Sequence, residues 1–458
     1  MKKRILYATG LTIFVGLSWG IIYLYSLLPI ITGYPAKYLC SAVFISERDP
    51  NEVKSSELNF SFIRFVTNHV DYEDKTVTSR FLWNSSTAIY RECFGSTLLY
   101  ETDVVALKKK KFPTLSAVRY KQDSVAWPLG NIIPDTNTGI DKNALARIAH
   151  NLIVSHSYKG DVFAFMVVHK GFPVIERYKE GFTNKTRFLS WSMAKSVNNA
   201  LAGIMVGDGI LDIHEKADIK AWQNDERNQI TINDLMQMQS GLSWNEDYGN
   251  RSDVTLMLYN SGDFARFAIN RPSAFPAGSH WYYSSGSTNI VNYLMRKKFD
   301  DDSAYYSFPY AQLFNKIGMP DAVFETDPSG TLAGSSYLFA TARDYARFGL
   351  LYLQDGIFNG ERILPEGWVG YSTTPALHSN GNYGSFFWLN RGKYYLAAPD
   401  DMYSCNGHDG QRIFIIPSCD LIVVILGYSP KNVNELKFNM LLKDILESVN
   451  HNRHSRAQ

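Results

Sequence analysis

Ser192 stands three residues before Lys195, and it is the only serine in the chain followed by lysine at that spacing. Ala194, Val197, Leu201, Ile204 and Met205 recur behind it at helical intervals, which predicts a helix that begins at Ser192 and carries Lys195 one turn up on the same face. A serine hydroxyl is a weak nucleophile at neutral pH and needs a base within hydrogen-bond reach. Lysine can serve when burial or a neighbouring cation disfavours its ammonium form, and the free N–H groups of a helix N-terminus favour an oxyanion close by. The spacing alone is a weak signal, because about one or two such matches arise by chance in a chain of this length.

Two further stretches add to it. "FPAGSHWYYSSGSTNIVNYLM" sets Tyr283-Ser284-Ser285 in a Gly/Ser turn before another helical pattern, and "CNGHDGQRIFIIP" sets His408-Asp409-Gly410 at the start of a strand. With these three motifs in this order, the chain resembles the serine β-lactamase/penicillin-binding-protein superfamily. The likeness is to the branch holding class C β-lactamases, related esterases and 6-aminohexanoate-dimer hydrolases. It covers roughly Asn143 to Asn450 and includes the connecting segments "ITINDLMQMQSGLSWNE", "GSSYLFATARDYARFGLLYLQDG" and "NGERILPEGWV".

The resemblance implies Ser192 as the acylated nucleophile, Lys195 as its partner and Tyr283 as the phenolate or hydrogen-bonded base that relays protons. A phenol near amines or imidazoles can titrate well below its free value of about 10, so the implied role is chemically coherent. Ser285 stands where class C enzymes carry Asn and would donate to a substrate carbonyl. His408 stands where β-lactamases carry Lys; a neutral imidazole has no fixed charge, so recognition of a β-lactam carboxylate is expected to suffer. Gly410 would let the strand approach the ligand, and the Gln411 backbone N–H would join that of Ser192 as oxyanion hole. Trp244, Trp388 and Tyr337 are candidates for the cleft wall, and Asp409 for stabilising the turn. No cofactor or metal is implied, since no His/Cys/Asp cluster has ligand spacing.

The elements that must position these residues follow from pattern. "DVFAFMVVHKGFPVIERY" and "GQRIFIIPSCDLIVVILGY" each read as two apolar runs around a turn, and thus as hairpins. "KNALARIAHNLIVS" and "NVNELKFNMLLKDILESVN" read as helices, and Ser192 to about Gln354 as mainly helical. The expected fold is α+β: an antiparallel sheet built from both ends of the domain, flanked by helices, with an inserted helical lobe, which is also what the resemblance implies. Upstream, "LNFSFIRFV", "KTVTSRFLW" and "STAIYREC" predict a small β-rich extension, joined by a Pro/Gly/Asn/Asp-rich linker. The expected divisions are 1–33 for a tail and transmembrane anchor, 34–140 for the extension and linker, 141–450 for the hydrolase-like domain and 451–458 for a tail.

A net charge of +2 argues against nucleic acid as partner, and the run Lys108 to Lys111 is too short and isolated to change that. Ile5 to Ile31 holds no charged residue over 27 positions and follows Lys2, Lys3 and Arg4. That is long enough to cross a bilayer, with the tail cytoplasmic and the rest periplasmic or otherwise extracytoplasmic. No A-x-A-like site follows, so an uncleaved anchor is expected rather than a signal peptide. Four cysteines, Cys40, Cys93, Cys405 and Cys419, would permit two bridges outside the cell. The sequence thus predicts a membrane-anchored serine hydrolase of a small amide or ester. A true β-lactamase or D-Ala-D-Ala peptidase, and a non-catalytic sensor of the same fold, are the competing readings. The protein should stay in the membrane fraction through carbonate extraction; a mature N-terminus mapped by mass spectrometry beyond residue 30 would refute the anchor.

Overall fold

The computed structural model describes residues 2–114, 121–431 and 433–454. Its first element, α1 (Lys2–Phe44), is a single helix of 43 residues and runs well past the boundary at residue 33 expected from sequence. The two halves have different surroundings. Leu11, Phe14, Leu17, Trp19 and Ile22 face outward, whereas Leu28, Ile31, Ala36, Leu39 and Cys40 are buried against the rest of the protein. A proline inside a helix costs about 3 kcal/mol, and α1 contains Pro29 and Pro35. Burial of each large apolar side chain in the second half returns about 1.5–3 kcal/mol, so the helix continues where sequence punctuation predicts a break.

Four antiparallel strands, β1 (Thr67–Asp71), β2 (Thr76–Phe81), β3 (Asn84–Arg91) and β4 (Gly95–Leu98), form a sheet in sequential order. Val77, Ala88 and Leu98 pack with Ile31, Leu39 and Val43 of α1 in one apolar cluster. The strand expected over 58–66 is absent: Ile63 and Val66 are buried three positions apart, the spacing of a helical turn, and Ile63–Phe65 is a 3-10 turn. The extension shares this cluster with the hydrolase-like domain and is no separate lobe. Glu325, buried in the larger domain, receives Lys37 Nζ at 2.5 Å, Ser41 Oγ at 2.9 Å and the Ser96 N–H at 2.6 Å. Burial pushes the Glu325 carboxyl up, and the Lys37 ammonium opposes that shift.

The main sheet has six strands, all paired antiparallel, from both ends of the larger domain. Helix α2 (Lys142–Ile153), capped by Asp141, precedes the first hairpin, β5 (Asp161–His169) and β6 (Phe172–Tyr178). Helices α3 (Met193–Gly207), α4 (Ser285–Arg296) and α5 (Ala342–Leu353) belong to the long insertion. The chain returns through β7 (Trp388–Leu389), β8 (Tyr403–Asn406), β9 (Arg412–Ile416) and β10 (Leu421–Tyr428) to α6 (Phe438–His454). The sheet order is β7-β8-β9-β10-β5-β6.

Both faces of the sheet are covered, which is why its central strands read as unbroken apolar runs. On β10, Ile422, Val424 and Leu426 join the cluster that holds α3 and α5, while Leu421, Val423 and Ile425 join the one that holds α2 and α6. The expected tail at 451–458 begins inside α6, and residues 455–458 lie outside the described part. Cys40, Cys93 and Cys405 are free thiols; Cys40 and Cys405 are buried and pushed up to about 12 by desolvation. The two bridges that the count would permit are not formed.

Because Lys37 and Glu325 are both nearly inaccessible, Lys37→Met should cost about 3–5 kcal/mol in urea unfolding by stranding a buried carboxylate. The double variant Lys37→Met/Glu325→Gln should regain most of it. Equal stability of the single and double variants would show that the pair does not tie anchor to body.

Candidate active site

The helix predicted from Ser192 is present, and Ser192 sits at its N-cap position with φ −65° and ψ −6°. Its side chain caps nothing, which leaves Oγ available. Trp191, just before it, is held at φ +46°, a left-handed backbone that a large side chain adopts only when its surroundings enforce it. Those surroundings are aromatic: Trp191 lies against Tyr34 and Tyr38 of α1 on one side and against Tyr248 and His408 on the other.

Lys195 is buried, and its Nζ has three oxygen neighbours: Ser192 Oγ at 2.9 Å, Ser285 Oγ at 3.0 Å and the Ser335 carbonyl at 2.9 Å. The Ser335 carbonyl can only accept. Ser285 Oγ donates its one proton to Glu246 Oε1 and therefore also accepts from Lys195. A neutral amine has two N–H groups and one lone pair, so with both N–H groups occupied its lone pair is left for the Ser192 hydroxyl. Burial depresses the Lys195 pKa to about 8, with the Glu246 carboxylate opposing the shift. About a tenth of the molecules then carry the neutral amine at pH 7.

Glu246 was not singled out from sequence. It lies in the loop "SWNEDYGN", where two adjacent acidic residues, Glu246 and Asp247, give no periodic or motif signal. In the fold it accepts from the Ser285 N–H at 2.9 Å, from the Ser285 hydroxyl and from Trp244 Nε1. Ser285 is fully buried and its only donor is committed to Glu246, so it is not placed to donate to a substrate carbonyl as the resemblance implied.

Tyr283 is half-buried, with Lys195 Nζ 4.9 Å from its ring centroid, and it lines the same cavity as Ser192. Desolvation by burial, with Tyr383 and the Glu246 carboxylate adding to it, raises its pKa well above the ordinary value; the Ser192 hydroxyl only partly offsets this. The lowered phenol expected from sequence is thus reversed, because a carboxylate and low solvation outweigh the neighbouring amine. Tyr283 keeps its proton at neutral pH in this arrangement.

Ser192, Glu246, Tyr283 and His408 line one cavity of about 580 Å³, together with Tyr248, Trp281, Trp388 and residues of the 378–407 segment. Of the three aromatics expected in the wall, Trp388 is there; Trp244 and Tyr337 are buried and not among its lining residues. The His408 ring stacks on Tyr248 at 4.5 Å, and its Nε2 lies 3.3 Å from Asp409 Oδ1.

Gly410 and Gln411 are not brought into this cavity. The chain reverses between β8 and β9 at Asp409 (φ +53°) and Gly410 (φ +91°). The Gln411 side-chain amide grips the backbone of Gly427 on β10, and the residue lines a separate cavity of about 30 Å³ with Tyr38, Arg48 and Glu57. Gly407 makes the close approach instead, since a Cβ there would fall 2.2 Å from the Ser190 carbonyl. Gly407 and His408 do line the cavity, and the Gly407 N–H is donated across the turn to the Gln411 carbonyl at 2.8 Å. Among the described residues no group of three or more His, Cys, Asp or Glu side chains is placed to hold a metal ion.

A six-stranded antiparallel sheet between helical layers, with a Ser–Lys pair at a helix start and a tyrosine from the inserted lobe, defines the serine β-lactamase fold class. The chain belongs to the Beta-lactamase family, whose sequence model matches residues 148–442. It is 22% identical over 302 residues to a 6-aminohexanoate-dimer hydrolase from Paenarthrobacter ureafaciens, covering 58% of this chain and 72% of that protein. Among solved structures it is similar to a Bacillus anthracis protein named as a candidate 6-aminohexanoate-dimer hydrolase, with TM-score 0.56, 21% identity and coverage of 75% and 88% of the two chains. It is also similar to a family VIII carboxylesterase, with TM-score 0.51, 13% identity and coverage of 67% and 96%.

If Lys195 accepts a proton during turnover, activity should rise with pH through a midpoint near 8, as the ammonium is lost. Glu246→Gln removes the charge that favours the ammonium and should move that midpoint to lower pH. An unmoved midpoint would show that the carboxylate does not act on Lys195.

Proposed function

We propose that the protein is a membrane-anchored serine hydrolase that cleaves an amide or ester through an acyl-enzyme on Ser192. The observation that carries this reading is the Lys195 amine, buried and with two of its three oxygen neighbours able only to accept, which leaves its lone pair for the Ser192 hydroxyl. The membership of the Beta-lactamase family and the names of the similar proteins are in keeping with it.

In the first half-reaction Ser192 Oγ attacks the carbonyl carbon as its proton passes to Lys195. The backbone N–H of Ser192, at the start of α3, stabilises the oxyanion. Collapse breaks the bond to the leaving amine or alcohol, and Tyr283, which holds a proton and lies beside Lys195, delivers it to that leaving atom; Lys195 returns its proton to Tyr283. Water then attacks the acyl-enzyme by the same route reversed, and Ser192 regains its hydrogen.

The cavity carries aromatic walls at Trp281, Tyr283 and Trp388, which suit the apolar body of a small substrate. Arg412 also lines it, but Arg412 Nη1 is bound to the carbonyls of Gly407 and Gln411, which braces the turn. With His408 in place of a lysine and Arg412 so engaged, p-nitrophenyl esters should turn over readily and a chromogenic β-lactam slowly; the opposite order would favour a β-lactamase.

A fluorophosphonate should label the protein on the peptide containing Ser192, and Ser192→Ala should abolish labelling. Lys195→Ala and Tyr283→Phe should each fold normally and lose about 10²-fold or more in rate. Persistent labelling of the Ser192→Ala protein, or full activity of Lys195→Ala, would return the sensor reading to first place.

A further inference from the structure

Because α1 enters the body without a linker, its axis measures height above the bilayer in the anchor reading, on which this inference rests. Trp19, Tyr23 and Tyr25 end the outward-facing apolar stretch, and aromatic residues of this kind favour the membrane–water interface. The β-sheet of the extension stands along the same helix. At one end of β3, Asn84 Nδ2 donates to Thr32 Oγ1 at 2.7 Å, and Ser86 Oγ lies 2.7 Å from that same oxygen. At the other end, the Tyr90 ring stacks on Phe44 at 5.7 Å. The span from Thr32 to Phe44 is about 18 Å by helical rise, and that from Asn84 to Tyr90 about 20 Å by strand rise, so β3 climbs α1 away from the membrane.

The β2–β3 turn is therefore the lower end of the sheet. It is made by Leu82 and Trp83, which are 59% and 63% exposed. Phe62, 52% exposed, lies beside Phe81 at the same end. Charge follows the same axis: Arg64 and Arg80 are exposed near this turn, and neither 58–70 nor 76–91 contains an acidic residue. The opposite turn, beside Phe44 through Tyr72, carries Asp71, Glu73 and Asp74. Thr32 stands about 10 Å above Tyr25 on the helix axis, and the turn reaches down from it by one to two residues, or about 3–7 Å. That brings the tip into a headgroup zone about 5–8 Å deep.

We propose that Leu82, Trp83 and Phe62 seat in the headgroup region of the membrane that α1 crosses, as a second point of contact that holds the hydrolase body against the bilayer. A tryptophan and two apolar side chains flanked by arginines, with the acidic residues at the far end, match an interface bearing anionic lipid. A helix alone would leave the body free to spin about one axis; two contacts fix which face looks down. Asn250, in the loop that carries Glu246 and Tyr248, already touches α1 at Tyr23, with 2.8 Å between Tyr23 Oη and Asn250 Oδ1. The cavity wall is thus held close to the bilayer surface.

The test uses the full chain with Cys93→Ser and Cys419→Ser, single cysteines placed in turn at Trp83, Leu82, Trp19 and Glu73, and an environment-sensitive fluorophore on each. The protein is reconstituted in phosphatidylcholine–phosphatidylglycerol vesicles containing a lipid with a shallow doxyl quencher. Labels at Trp83, Leu82 and Trp19 should be quenched, and the one at Glu73, on the opposite turn, should not. Quenching at Trp19 without quenching at Trp83 or Leu82 would overturn the second contact while leaving the anchor standing, and would assign the exposed tip to a protein partner or a second copy. An unquenched Trp19 label would overturn the anchor reading and this proposal together.

Discussion

A lysine amine with no access to water governs the arrangement around Ser192. Each neighbour of Lys195 Nζ comes from a different part of the chain: the start of α3, the start of α4 and the segment before α5. Its proton affinity depends on all of them being in place. A buried ammonium without partners costs several kcal/mol, and one with a full set of acceptors would be a permanent cation. The balance here lies between those limits, because desolvation lowers its pKa to about 8 while Glu246 pulls the other way.

That balance reaches outward through Ser285. The serine hydroxyl has one proton, and Glu246 takes it, so its remaining capacity toward Lys195 is as an acceptor. Trp244 Nε1 and the Ser285 N–H hold the carboxylate in turn. The raised Tyr283 phenol belongs to the same electrostatic setting: burial and the carboxylate that steadies Ser285 also keep the tyrosine protonated. One environment thus pushes the proton affinities of Lys195 and Tyr283 in opposite directions, the arrangement that the proposed base and acid roles require.

The extension is joined to this chemistry by packing. Tyr34 and Tyr38 of α1 lie on Trp191, which also meets the rings of Tyr248, Tyr337 and His408. Trp191 is the residue held at positive φ directly before Ser192, so α1 helps to enforce the backbone that presents the hydroxyl. The buried pair of Lys37 and Glu325 fixes the same helix from another side.

The sequence by itself determined the elements and residues whose signals are local. Ser192 and Lys195 share a helix face through a spacing of three, and the two hairpins around 169–172 and 416–421 follow from apolar runs interrupted by turn residues. The order of the three motifs determined the family. Tertiary structure decided whatever depends on partners distant in the chain. The anchor segment was expected to end at residue 33, yet α1 continues past it, through Pro35, because its second half is buried. Gln411 was expected at the site through its backbone N–H, and nothing in the sequence told that its side-chain amide would be tied to the backbone of Gly427. Glu246 had no signal at all, because a carboxylate in a polar loop becomes part of a proton circuit only when folding places it on a serine 39 positions away. The direction of the Tyr283 shift was likewise undecidable from composition, since desolvation and through-space charge are properties of the assembled site and not of the residues that enter it.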